Sequence, residues 1–417
     1  MASASSAQEP ACMSVLVTPG DLRSALAVTR SLGRQGIAVT IADERGRSLA
    51  GASRYCRESI RVPSAAGAPE LFVHELQRAL QAGRHRVVMP VDDIALALLA
   101  HDRPPFEDLA TLPFPDSETI QLAHDKGALV ALAGDHGVPV PRTTVVRSSG
   151  DLDTAVRRVG FPAVVKARVS RLNVAGQWRS APGTRYVNTP AELEAACREV
   201  SRTIPEPIVQ EYIPGEGRGI FLLMNRGQLR AAFAHRRLRE KPPSGGVSVL
   251  SESVAPDPRL LEHAERILEA LKWHGVAMVE FKQDARDGTG KLLEINGRFW
   301  GSLQLAVDAG VDFPHLLYRL AVEGDVKPVL TYEVGLRLRW SLGTIDWLLL
   351  RLRESGNARS RVRAVMDLVR STGRTRGETF RRDDPGPGVV EIGQYLGYAL
   401  RGIAGRVAAG LSRSKGR

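Results

Sequence analysis

Residues 291–302 read KLLEINGRFWGS, and residues 279–284 ahead of them read VEFKQD. If the first stretch opens as a strand, side chains two apart share a face. Glu294 and Asn296 then project together, and Arg298 follows with the same parity. Glu280 lies in the preceding apolar run, and the segment DARDGTG at 284–290 is turn chemistry that predicts a hairpin. That hairpin would gather two carboxylates, an amide oxygen and a guanidinium into one patch. Hard oxygen donors suit Mg²⁺, which takes one or two carboxylates and leaves its other positions to water and substrate phosphates. Arg298 could grip such a phosphate in bidentate fashion. The competing reading is a hairpin with one polar face in water; Phe299 and Trp300 beside the cluster argue against an open solvent face.

The bulk numbers set the scale. At 417 residues the chain is long enough for about three domains, and 43% hydrophobic with 25% charged residues is a globular composition. No apolar run approaches the roughly 20 residues that span a bilayer. The start, MASASSAQEPACMS, lacks a basic region followed by an apolar core, so residues 1–13 read as a disordered lead-in rather than a secretory signal. Cys12, Cys56 and Cys197 are isolated and odd in number, which suggests a reducing, cytoplasmic setting and argues against a disulfide framework or structural zinc. Net charge is +11, but from residue 331 onward 17 Lys/Arg face 8 Asp/Glu, so most of the excess belongs to the C-terminal quarter. Attraction to anions belongs there, if anywhere.

Moving outward along the chain, SVLVT at 14–18, an amphipathic stretch over 21–36 and IAVTIAD at 37–43 form a β-α-β pattern, which implies a parallel sheet covered by helices. LFVHELQRALQAG and RVVMP supply a second helix and strand, with Asp92 and Asp93 at the strand's carboxyl end. Ligands bind at that edge of open α/β sheets, although the two acids could equally cap the next helix. There is no G-x-G-x-x-G fingerprint. The Pro-rich segment 104–115 reads as a linker, and 118–135 as one helix. Helix and strand then alternate as far as Asn296, an α/β or α+β core of two lobes. From 328 onward the stretches 335–356, 361–373 and 391–417 read as helices, the last two with basic faces. Such helices can lie on an anionic membrane or pack on their own protein.

Two lysines stand out as point cations for phosphate oxygens. Lys166 ends the apolar run FPAVVK, and Lys126 heads the segment KGAL 40 residues earlier. PIVQEYIPGEG at 207–217 is an apolar strand running into a proline-glycine break. It offers an adenine ring an apolar slot and backbone groups, with Glu211 to accept the exocyclic amine and Tyr212 and Ile213 to present main chain. In AFAHRRLREKPPSGG, His235, Arg236, Arg237, Arg239 and Lys241 concentrate positive charge before Gly245 and Gly246, whose backbone can approach a phosphate closely. An exposed basic hairpin is the alternative.

Read in order, DK, GVPVP, FPAVVK, PIVQEYIPG, GGVS, VEFKQD, LLEINGRFWGS and AGVDFP resemble the ATP-grasp superfamily, in its carbamoyl-phosphate-synthase-like or carboxylate–amine ligase branch. The resemblance covers roughly residues 15–326. It implies a Rossmann-like pre-ATP-grasp α/β domain (14–115), a two-lobed ATP-grasp domain (116–327, lid about 142–210) and a basic helical C-terminal region (328–417). By position, Lys126 and Lys166 match the nucleotide-phosphate contacts, and Glu211, Tyr212 and Ile213 the adenine hinge. Gly245 and Gly246 align with the loop near the transferred phosphate. Glu280, Glu294 and Asn296 match the ligands of Mg²⁺, with Mn²⁺ as a substitute. Arg298 and Arg237 are the expected catalytic arginines. Two departures stand out: the lid stretch 169–187 is long and glycine-poor, and GRGIFLLMN lacks the usual acidic ribose contact.

The implied activity is an ATP-dependent ligation. A carboxylate is phosphorylated to an acyl-phosphate, which an amine or similar nucleophile then attacks, and the protein acts by positioning and charge neutralisation. No nucleophilic side chain is required, in keeping with the absence of G-x-S-x-G. Small acids and amines are the expected partners, and homo-oligomerisation is left open. Few aromatics argue against nucleic acid. Two alternatives stand beside this reading: a non-catalytic ATP-binding regulatory or scaffold module, and weak anionic-membrane contact through 328–417.

Overall fold

The computed structural model describes residues 14–83, 85–174, 176–242, 246–354, 359, 366 and 374–398. The expected lead-in 1–13, Gly245 and most of the basic stretches 361–373 and 391–417 lie outside the described residues. The fold is mixed α/β and is built on three main sheets.

The first sheet follows from the apolar runs near the start. Strands β1 (Ser14–Thr18), β2 (Ala38–Asp43), β3 (Glu58–Arg61) and β4 (Val87–Pro90) pair in the order β3-β2-β1-β4, all parallel. β1 is buried along its whole length, as expected of a central strand covered on both faces. The covering helices are α1 (Arg23–Arg34) and α2 (Pro69–Gly83), followed by α3 (Asp93–His101) and the short α4 (Arg103–Glu107). The Pro-rich segment is not a free linker. Phe106, Leu112 and Phe114 are buried in the core under the sheet, and Thr111 bridges to Val87.

The expected single helix over 118–135 is broken in two, α5 (Ser117–His124) and α6 (Lys126–Asp135). Asp125 is extended between them, and its carboxylate caps Gly127 and Ala128. The apolar period continues across the break, so only the capping aspartate marks it. The break leaves Lys126 at the first turn of α6, with its N–H donated to the Arg168 carbonyl.

The second sheet comprises β5 (Thr143–Val145), β6 (Ala163–Lys166), β9 (Arg185–Val187) and β10 (Ile208–Glu211), in the order β5-β10-β6-β9 and antiparallel throughout. Helices α7 (Ser149–Val159) and α8 (Pro190–Ser201) bury one of its faces over Val165, Val187 and Val209. Between β6 and β9 the chain makes a separate hairpin, β7 (Arg171–Val174) and β8 (Gln177–Ser180).

The third sheet has seven strands: β11 (Gly215–Asn225), β12 (Gln228–Lys241), β13 (Val247–Val254), β14 (Gly275–Asp284), β15 (Gly290–Asn296), β16 (Arg337–Arg339) and β17 (Thr375–Gly377). Their order is β15-β14-β11-β12-β13-β16-β17. The expected β14–β15 hairpin is present around the DARDGTG turn. One face packs on α6 and on α9 (Pro258–Ala270), a helix capped by Asp257 with proline at its first turn. The other face packs on α10 (Leu303–Ala309), α11 (Phe313–Glu323) and α1, so this sheet and the first share one core. The region beyond 328 is not purely helical: besides α12 (Ser341–Glu354) and a helix over 386–398 it supplies β16 and β17 to this sheet. Three-residue strands such as RLR carry too little alternation to stand out from a helical pattern.

Candidate active site

The register of the large sheet decides where the acids go. Glu280 on β14 sits directly opposite Glu294 on β15, and Met278 opposite Asn296, so Glu280, Glu294 and Asn296 share one face. It is the face that buries Phe221 and Met278 further along. Lys166 and Gln210 lie on the face of the second sheet opposite Val165 and Val209, and the Lys166 ammonium feels the charges of Glu294 and Glu280. On β11 the matching positions are Gly217 and Gly219, paired with Lys282 and Glu280, which leaves bare backbone as a floor. A methyl group added at Gly217 would meet nothing within 4 Å. The alternating GEGRG was a sequence signal for this floor that the motif reading missed.

Each acid has a cation partner, Glu280 from β12 of its own sheet and Glu294 from the start of α6. Arg237 Nη2 lies 3.0 Å from Glu280 Oε1, and Lys126 Nζ lies 3.5 Å from Glu294 Oε2. Asn296 Nδ2 donates to Glu294 Oε1 at 3.4 Å. Lys126 Nζ donates to Ser170 Oγ at 3.0 Å, and Lys166 Nζ to Gln210 Oε1 at 3.2 Å. Burial pushes the Glu280 carboxyl above the ordinary glutamate range; Arg237 opposes this and the Glu294 charge adds to it. Burial also acts on Glu294, but the Lys126 ammonium, the Asn296 amide and Lys166 outweigh it and hold that carboxyl low. Burial lowers Lys166 as well.

Two neighbouring carboxylates and an amide oxygen are a donor set that fits a hard divalent cation. A divalent charge there would offset the repulsion between the paired carboxylates. Among the described residues no cluster of three or more His, Cys, Asp or Glu side chains offers a rival metal site.

The other expected residues divide. Asp92 caps α3, accepting from Ala95 N at 2.7 Å. Asp93 instead reaches Arg298, 205 residues away, through Nε at 2.9 Å and Nη2 at 3.3 Å. Burial would raise Asp93, but the Arg298 guanidinium keeps it below the usual carboxylate range. Arg298 is thus tied to the first sheet's edge while its charge also acts on Glu280, a link the sequence spacing could not reveal.

Glu211 is held by two cations. Its buried carboxylate lies 2.5 Å from Lys291 Nζ and 2.7 Å from Arg142 Nε, so both oxygens are engaged. The Tyr212 N–H donates to the Pro162 carbonyl at 3.2 Å, its ring stands edge-on to Tyr186, and Ile213 is buried. An adenine amine at this hinge would compete with Lys291 and Arg142 for the Glu211 side chain, whose oxygens keep some acceptor capacity.

The basic run on β12 is dispersed rather than concentrated. Arg236 pairs with Glu252, Lys241 with Asp346, and Arg239 lies over the Trp347 ring. His235 is buried against Phe221 and bonds Ser302; burial, with Arg237 adding to it, pushes its pKa down to about 3. Only Arg237 of this run faces Glu280. A bulge between Arg237 and Arg239 breaks the period-two alternation that would have kept them on one face. Gly246 fits tightly against the Lys241 carbonyl.

A cavity of about 490 Å³, lined in part by Lys126, Glu294 and Asn296, opens between α3, α5 and the β7–β8 hairpin. No local pattern reveals it, since its walls come from four separate stretches, 93–101, 117–126, 169–178 and 294–296.

Comparison with known proteins finds likenesses in sequence and in fold. A family model described as ATP-grasp in the biosynthetic pathway with Ter operon matches residues 203–343. N5-carboxyaminoimidazole ribonucleotide synthase of Pseudomonas aeruginosa is 27% identical over 200 residues, 46% of this chain and 52% of that one. The chain spans about half the length of such curated relatives. Among solved structures, biotin carboxylase from Campylobacter jejuni, in complex with an ATP analogue, superposes with a TM-score of 0.64 at 17% identity, covering 78% of this chain and 74% of that one. N5-carboxyaminoimidazole synthetase from Staphylococcus aureus gives 0.59 at 16% identity, covering 78% and 80%. No helix among the described residues is long and apolar enough to cross a membrane.

Proposed function

This chain belongs to the ATP-grasp superfamily, and from that premise we propose that it is an ATP-dependent ligase of the carboxylate–amine type. The observation that carries the reading is the convergence of Glu280, Glu294 and Asn296 with Lys126, Lys166 and Arg237 on one cleft between two sheets. That mix suits a nucleotide's polyphosphate held with a divalent cation and suits few other ligands.

In the proposed reaction a carboxylate oxygen of the acid attacks the γ-phosphorus of ATP. The bond from that phosphorus to the β–γ bridging oxygen breaks, and ADP leaves. An amine then attacks the acyl carbon, the carbon–oxygen bond to phosphate breaks, and the nitrogen releases a proton. Lys126 and Lys166 hold phosphate oxygens, while Arg237 and Arg298 steady the transferred group as charge develops on it. Main chain at Tyr212 and Ile213 borders the adenine. Mg²⁺, or Mn²⁺, held by Glu280, Glu294 and Asn296 would neutralise phosphate charge. In this scheme residues 14–115 and the α3 edge help shape the acceptor side, and 116–327 clamp the nucleotide.

The test is ADP release by the full chain with MgATP and paired acids and amines. Release that requires both partners is expected. Nucleotide binding with no ADP release under any pair would leave a non-catalytic nucleotide-binding protein in its place.

A further inference from the structure

We propose that the 490 Å³ cavity between α3, α5 and the β7–β8 hairpin holds the body of the acid substrate, and that this acid carries an apolar or aromatic body. The inference rests on the ligase reading and adds the chemical class of the acid. The cavity shares Lys126, Glu294 and Asn296 with the nucleotide cleft, and none of the hinge residues 211–213 lines it. An acid seated there puts its carboxylate at the polyphosphate end of the cleft, beside the Lys126 ammonium, and its remainder away from the nucleotide.

The remainder meets apolar walls. Leu98 comes from α3, Ile120 from α5, Leu172 from β7 and Trp178 from β8. At about 490 Å³ the space falls within the range of pockets that enclose small organic ligands, well beyond what a two-carbon acid would fill. Polar groups return at the mouth, where His101 and Gln121 are exposed. Charged inner end, apolar middle and polar rim together describe an amphipathic acid.

A second observation points the same way. The Trp178 indole Nε1 and the His124 Nε2 are buried, and neither finds a hydrogen-bond partner among the described residues, yet both side chains line this cavity. Buried polar atoms are normally paired. Both nitrogens are closed off from the cavity as it stands, so a ligand's acceptor reaches the indole, which can only donate, through a small turn of the Trp178 side chain, whereas the imidazole nitrogen can serve in either role. Trp178 also packs on the core beneath the first sheet, so the hairpin closes over α3 as a roof. Trp178 is therefore a specificity-determining residue.

Ala97 lies on the α3 wall and is only partly buried, so Ala97→Phe fills the cavity without entering the core. The experiment uses the full chain with Mg²⁺ and a non-hydrolysable ATP analogue. Calorimetry reads nucleotide affinity, and ligand-observed NMR reads binding of 3-phenylpropionate against acetate. Phenylpropionate is expected to bind at least tenfold tighter than acetate, and both Ala97→Phe and Trp178→Ala to weaken it at least tenfold with nucleotide affinity unchanged within twofold. Equal affinity for the two acids, or phenylpropionate binding untouched by Ala97→Phe, overturns the proposal while the nucleotide site stands. Absence of nucleotide binding by the unsubstituted chain removes the ligase reading, and the acid assignment falls with it.

Discussion

Glu294 is the side chain on which the site turns, because it faces Glu280 across the strand pair and pairs with Lys126 at the start of α6. Glu294→Gln keeps its shape and its bond to Asn296 but removes the charge. ADP release should fall by about 10²-fold or more, the scale of losing one preorganised electrostatic partner, while circular dichroism and melting show a folded protein. Retained turnover in a folded variant would remove Glu294 from the site. Arg298 poses a different question, since its fork grips Asp93 through two nitrogens. Lysine keeps the charge but offers one point of contact. Arg298→Lys should lower kcat/KM about tenfold to a hundredfold. Asp93→Asn should reproduce part of the loss, which a role confined to phosphate would not predict.

At the scale of elements, β12, β13 and β16 are joined by one buried acid. Glu252 accepts from Arg236 at 2.5 Å and from Arg337 at 2.8 Å, and is itself only 8% exposed. Burial raises its pKa, but the two guanidinium groups outweigh burial and bring it below the ordinary value. A carboxyl lowered in the folded state stabilises fully above the unfolded value of about 4.3, and that contribution is lost as pH falls through the folded value. Glu252→Gln should therefore cost about 1–3 kcal/mol at neutral pH, toward the lower end because both arginines are partly solvated. In denaturant titrations the gap from wild type should close as pH drops to about 3; a pH-independent gap would mean the packing, not the charge, matters. The elements also show what was legible. The β14–β15 hairpin could be read because its alternation and its turn are local. The end of α5 could not, because the apolar period runs through Asp125, and β16 could not, because its partner residues on β13 lie 85 to 89 positions earlier.

Over the whole molecule, the local chemistry of the cleft was legible while its long-range ties were not. Glu280, Glu294 and Asn296 were placed together by period-two spacing, but the Asp93–Arg298 pair spans 205 residues and no spacing rule reaches that far. The same holds for the tie between the first helix and the last described segment. Arg30 on α1 is fully buried and donates to Asp384 at 2.8 Å and to the carbonyls of Glu378 and Thr379 at 2.7 and 2.9 Å. Asp384 in turn accepts from Ser53 Oγ and Arg54 N. Burial lowers the Arg30 pKa and Asp384 opposes it, so the partner offsets part of the cost of burying that charge. Arg30→Ala would strand a buried carboxylate, and breaking such a pair costs about 3–5 kcal/mol. The expected result is a lower melting temperature and faster proteolysis within 374–398. A double variant, Arg30→Met with Asp384→Leu, removes both charges and should recover much of the loss, since apolar replacements of buried pairs are often neutral. Ser53 and Arg54 would limit that recovery. If the double variant is no better than Arg30→Ala, the segment is held by the backbone bonds to Glu378 and Thr379 instead of by the ion pair.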